Sequence, residues 1–109
     1  MRRVFYASGS FLTSDAIAAG VLNYADALTR TNGSDVVNFP IVHANGSLGD
    51  ASVLIGPASQ IASASEESDL PEPLDSELLL DLERKTLLVG VPRPLVQSGT
   101  TKFALDEFE

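Results

Sequence analysis

The chain predicts an α+β domain in which helices cover one face of a mostly antiparallel sheet, as a two-layer α/β sandwich. Three observations carry that expectation. Apolar residues recur at helical spacing between Ser14 and Thr31, Asn45-Gly46 stands between two apolar runs as a hairpin turn, and short β-branched runs alternate with the helical segments. Taken in order, the elements read strand, helix, strand, strand, helix, strand, which is the βαββαβ order of a ferredoxin-like sandwich.

Length and composition suit one globular domain, since 109 residues that are 44% hydrophobic and 20% charged can bury a core without staples. Residues 1–99 are read as that domain and 100–109 as an acidic and aromatic C-terminal tail. With no cysteine, disulfide frameworks, zinc ribbons and thiol chemistry are excluded, and a single histidine, His43, removes multi-histidine metal sites. No cofactor and no metal site is expected. A net charge of −8 opposes binding to a phosphate backbone, so nucleic acid is not an expected partner. The apolar run after Met1-Arg2-Arg3 is too short for a signal sequence, and no window is long enough to span a membrane. A soluble, cytoplasmic protein is expected, and the Asn-Gly-Ser sequons at Asn32 and Asn45 are read as turns rather than glycosylation sites.

The first element, Arg3 to Ala7, is rich in β-branched and aromatic residues and stops at Ser8-Gly9-Ser10, as a short strand does. A helix follows at about 14–31. Ile17, Val21, Tyr24 and Leu28 line one face, Thr13 or Ser14 caps the first turn, and Asn32-Gly33 offers a left-handed stop. Val36 to His43 reads as a strand whose Pro40 lacks the N–H of a central ladder, which points to an edge or a bulge. Ala51 to Gly56 returns from the hairpin. A two-residue turn would set Phe39 opposite Ser52 and mix core with surface, so a longer loop reaching Leu48-Gly49, or a bulge, is expected. Ser59 to Pro73 is small, polar and acidic without a period, as a mobile surface loop is. Asp75 then caps a second helix in which Leu78, Leu79 and Leu82 share a face, and Thr86 to Val91 is read as a strand in preference to the end of that helix.

The arrangement with most chemical potential is the passage from the first strand to the first helix. Gly9 lets a backbone approach closely, Ser8, Ser10, Thr13 and Ser14 carry hydroxyls, and a helix start favours an anion. An ordinary turn with serine caps explains the same residues, no lysine is near, and Arg2 and Arg3 are expected roughly 15–20 Å away along the strand at ~3.3 Å per residue. Ser59 and Gln60, in the turn after Gly56-Pro57, could line a pocket, although turn chemistry accounts for them equally. From Glu66 to Glu83 there are eight acids and no base, as in a solvated face or a surface for a basic partner. His43 lacks an identifiable partner set for nucleophilic catalysis. No catalytic residue is therefore nominated. The expected function is a small non-catalytic module acting by self-association or protein–protein contact, as a homodimer joined through the C-terminal tail or the edge near Pro40. The alternative is a binder of a small anion at the loop between the first strand and first helix.

Overall fold

The computed structural model describes residues 1–7 and 9–90. Among these residues five strands and two helices follow one another as β1 (Arg2–Tyr6), β2 (Gly9–Thr13), α1 (Asp15–Arg30), β3 (Asp35–Val42), β4 (Leu48–Ile55), β5 (Ile61–Ser65) and α2 (Ser76–Gly90). The sheet is antiparallel throughout, in the order β4-β3-β2-β1-β5. The fold is thus a small α+β arrangement, but its order is ββαβββα rather than the expected βαββαβ.

Two added strands, and one expected strand that proves helical, account for the difference. The chain turns back at Ala7, which takes a left-handed φ of 53°, and Gly9–Thr13 pairs with β1 from Tyr6↔Gly9 to Arg2↔Thr13. What was read as a lead into the helix is a strand because Phe11 packs edge-on against Phe39, with ring centroids 6.1 Å apart, and Leu12 is buried. The second strand, β5, lies within the segment read as a loop. Ile61-Ala62-Ser63-Ala64-Ser65 offers little apolar area, and backbone pairing along β1 supplies what the side chains lack. Arg2 reinforces it through Nε to Ser63 Oγ at 3.1 Å.

The helices form for local reasons that match their sequences. Ser14 Oγ accepts the Ile17 N–H at 3.1 Å, Asp75 Oδ1 accepts the Leu78 N–H at 3.0 Å, and Asn32 takes the left-handed stop with φ 60°. The strand expected at 86–91 is instead helical as far as Gly90. Leu82, Thr86 and Val89 follow one another at spacings of four and three, so the helical face that contacts the core extends one more turn. Val91 and the 100–109 tail lie outside the described residues.

In the β3–β4 hairpin, pairing closes at Val42↔Leu48 around residues 43–47, with Gly46 at φ 88°. That loop is longer than a two-residue turn, as expected, but it does not reach Leu48-Gly49, which already pair with Val42 and Ile41; the register sets Val37 against Val53 and Phe39 against Ala51, all four on the buried face. Pro40 does not lie on an edge strand: β3 is flanked by both β4 and β2. Its missing N–H is tolerated because β2 and β3 share only the pair Leu12↔Val42, and the Pro40 carbonyl on that side accepts from Thr13 Oγ1 at 2.8 Å. The core joins α1 (Ile17, Val21, Leu28) to the inner faces of β3 and β4, and Leu82 of α2 enters it beside Gly20, where an added Cβ would lie 3.2 Å from Leu82 Cδ1. No helix among the described residues is long and apolar enough to cross a membrane.

Candidate functional site

The residues nominated for an anion are divided by β2. Ser8 lies outside the described residues. Gly9 and Ser10 begin the strand, while Thr13 ends it and Ser14 caps α1, so the two groups are about 10 Å apart at ~3.3 Å per residue. The distal pair is committed to the fold: both residues are buried, Thr13 donating to Pro40 and Ser14 accepting from Ile17.

At Ser10 the hairpin brings in a cation that a single extended strand would have kept away. Arg3 Nη1 donates to Ser10 Oγ at 3.2 Å, correcting the expectation that neither arginine comes near. Arg3 is also held by Glu66, with Nε to Oε1 at 2.7 Å and Nη2 to Oε2 at 2.8 Å. Hydrogen bonding to Glu66 raises the arginine above its ordinary value, and the same bond keeps the Glu66 carboxyl below its own. These groups border a groove of about 520 Å³ that also reaches Leu12, His43 and Leu70. Its cation is already paired with Glu66, so an incoming anion would have to compete with that carboxylate.

Ser59 and Gln60 do line a cleft, of about 780 Å³, between the β4–β5 turn and the end of β1. Tyr6 crosses it, its hydroxyl donating to the Leu54 carbonyl and lying 3.3 Å from Ser59 Oγ, which accepts the Gly56 N–H at 2.9 Å. None of its lining residues is charged. Two of its three hydroxyl groups, those of Tyr6 and Ser59, are engaged in holding the turn.

The acidic segment is partly absorbed into ion pairs. Asp81 pairs with Arg84 and, at 3.4 Å, with Lys85, whose Nζ also lies 3.7 Å from Asp35. Asp35 receives the Tyr24 hydroxyl at 2.6 Å. Burial first, then that bond, pushes the Tyr24 phenol up to about 12, and the same bond holds the Asp35 carboxyl below the usual carboxylate range. Because it joins α1, β3 and α2, the cluster acts as a structural clamp. Among the described residues no three acidic or histidine side chains converge as a metal-binding group.

A different surface was missed by sequence reasoning. α2 turns Leu78, Leu79, Leu82 and Val89 toward the core, yet Leu80, Leu87 and Leu88 remain 67%, 62% and 67% exposed. The signal was present in the runs Leu78-Leu79-Leu80 and Leu87-Leu88, which are too wide for one helical stripe and must wrap onto the outer face. Beside this ridge runs a groove of about 290 Å³ between the helices, floored by Ala16, Ala19 and Gly20 of α1. No family model matches the chain, and neither the curated proteins nor the solved structures contain a match to it.

Proposed function

We propose that the protein is a small association module that works by contact with another protein surface, a second copy of itself being the first partner to consider. The outward leucines of α2 carry this reading. Fully burying a leucine contributes about 2 kcal/mol, so three that are roughly two-thirds exposed leave on the order of 4 kcal/mol of burial unrealised in the isolated chain. Scattered single leucines would mean little, but these three lie within an arc of about 100° on one helix. Phe5, Val36 and Leu54 add exposed apolar area on the sheet. A small anion near Ser10 remains the second reading; the closeness of Arg3 supports it, while Glu66 competes for the same guanidinium.

Sedimentation equilibrium between about 1 and 200 μM tests the reading directly. Self-association predicts an apparent mass that climbs from 11.5 kDa with concentration. A constant 11.5 kDa across that range refutes it. Phosphate titration followed by amide shifts tests the second reading, which fails if Ser10 and its neighbours do not respond.

A further inference from the structure

We infer that Asn45 is a site of spontaneous covalent modification: its side-chain amide closes on the Gly46 nitrogen to a succinimide, which water opens to aspartate or isoaspartate. The triplet Asn-Gly-Ser occurs twice, at 32–34 and 45–47, so the two asparagines have the same C-terminal neighbours and closely similar reactivity in an unfolded chain. Glycine obstructs this ring closure least, since it sets no Cβ beside the attacking nitrogen. The fold then separates the two copies. At the hairpin tip Asn45 Oδ1 accepts both the Ser47 N–H, at 3.0 Å, and the Ser47 hydroxyl, at 2.7 Å. That turn closes a small ring containing both the Asn45 Cγ and the Gly46 nitrogen. Its two donors sit on the oxygen where negative charge develops when the nitrogen attacks. Asn45 and Ser47 are exposed, so water and base reach them.

Asn32 instead forms the left-handed stop of α1, with its N–H on the Thr29 carbonyl at 3.3 Å and the Gly33 N–H on the Leu28 carbonyl at 2.9 Å. Gly33 is also packed, since an added Cβ would lie 3.4 Å from Leu28 Cδ2. Freeing the Gly33 nitrogen therefore unravels a helix end, whereas freeing the Gly46 nitrogen breaks one turn bond, to the His43 carbonyl at 2.9 Å. Water is the one co-reactant. The Gly46 amide proton passes to solvent, its nitrogen bonds to Asn45 Cγ, and the Cγ–Nδ2 bond breaks, Nδ2 leaving as ammonia with a proton from solvent. Water then adds to a ring carbonyl and breaks its bond to the Gly46 nitrogen. Opening at Cγ leaves aspartate, and opening at the backbone carbonyl leaves isoaspartate, with the main chain rerouted through Cβ and Cγ. Either product adds a negative charge to a chain of net charge −8. Isoaspartate also lengthens the loop at Gly46, which packs against Leu70, a wall of the groove that Arg3 and His43 line.

The test incubates the full chain at about pH 8 and about 37 °C, with and without concentrated urea. Peptide mapping reads the gain of about 1 Da at each asparagine, and labelling by an isoaspartyl methyltransferase identifies isoaspartate. In the folded chain Asn45 is expected to convert about tenfold faster than Asn32, and in urea the two rates should agree within about twofold. Ser47→Ala removes one donor and is expected to slow Asn45 about threefold in the folded chain, while Ser47→Thr, which keeps the hydroxyl, should match the unaltered chain. Asn32 reports folding in the same sample. If Ser47→Ala unfolds, both sites take the urea rate, and the ratio of Asn45 to Asn32 in the unaltered chain decides. Equal folded-state rates, a faster Asn32, an Asn45 that reacts in urea alone, or a folded Ser47→Ala chain as fast as the unaltered one overturns the inference.

Discussion

Replacing Tyr24 by Phe removes a single oxygen and tests how α1, β3 and α2 are held together. The ring is 4% exposed and its hydroxyl donates to Asp35 Oδ2 at 2.6 Å, while Lys85 Nζ lies 5.9 Å from the ring centroid and Val36 N–H occupies the other carboxylate oxygen at 2.8 Å. Phe keeps the ring, so no cavity forms and the loss isolates the hydrogen bond. Bonds to charged groups contribute about 1.5–3 kcal/mol, and because Asp35 is a third exposed the low end, about 1.5 kcal/mol, applies. For a domain of this size that lowers Tm by about 5–10 °C. The pH dependence fixes the assignment. The folded-state value of Asp35 is depressed, so its contribution is present above its unfolded value near 3.8 and fades as pH falls below that. Tyr24 is raised, so its contribution is intact below its unfolded value of 10.0 and is lost as pH climbs toward about 12. Urea denaturation followed by circular dichroism should therefore show a gap between parent and Tyr24→Phe that is flat from about pH 5 to 9 and closes on both sides. A gap below about 0.5 kcal/mol at neutral pH, or one that persists unchanged at low pH, refutes the clamp.

Leu82→Ala empties the contact between α2 and Gly20 at a side chain that is 2% exposed, and urea denaturation should register a loss of about 3 kcal/mol; less than 1 would mean that α2 is not anchored there. Gly46→Ala forces a side chain into φ 88° with Leu70 Cδ2 3.2 Å away, so a loss of about 1–2 kcal/mol is expected, whereas Gly33→Ala, at ordinary φ, should cost less. Amide exchange should show protected positions within Ile61–Ser65, where β5 bonds β1, against fast exchange across 67–73; equal rates in the two segments would remove β5 from the sheet.

What was legible in the sequence is what local chemistry decides. The face of α1, its Ser14 cap, the stop at Asn32, the Asp75 cap and the lengthened hairpin loop each follow from a few adjacent residues, and each is present. The strands β2 and β5 were missed for opposite reasons. Phe11-Leu12-Thr13 was absorbed into the approach to a helix because the hydroxyls at 13 and 14 looked like one capping group, although only Ser14 caps while Thr13 binds across to β3. β5 has one large apolar residue in five, and what makes it a strand is the unsatisfied edge of β1, sixty residues earlier in the chain. The first error moved the candidate site: once Gly9–Thr13 is a strand, the hydroxyls read as one loop belong to its two ends.

The leucines of α2 show a second limit, one that concerns surface rather than secondary structure. A pattern of apolar residues states which faces of a helix resist water, but only the tertiary arrangement states which of them are already covered. Leu78, Leu79 and Leu82 meet α1 and the sheet, and that coverage ends where Gly20 and Ala19 bring the helices close, leaving Leu80, Leu87 and Leu88 outside. An exposed apolar surface of this kind is therefore invisible as a motif. It emerges as a remainder, the apolar area left once each buried residue has been matched with its neighbour.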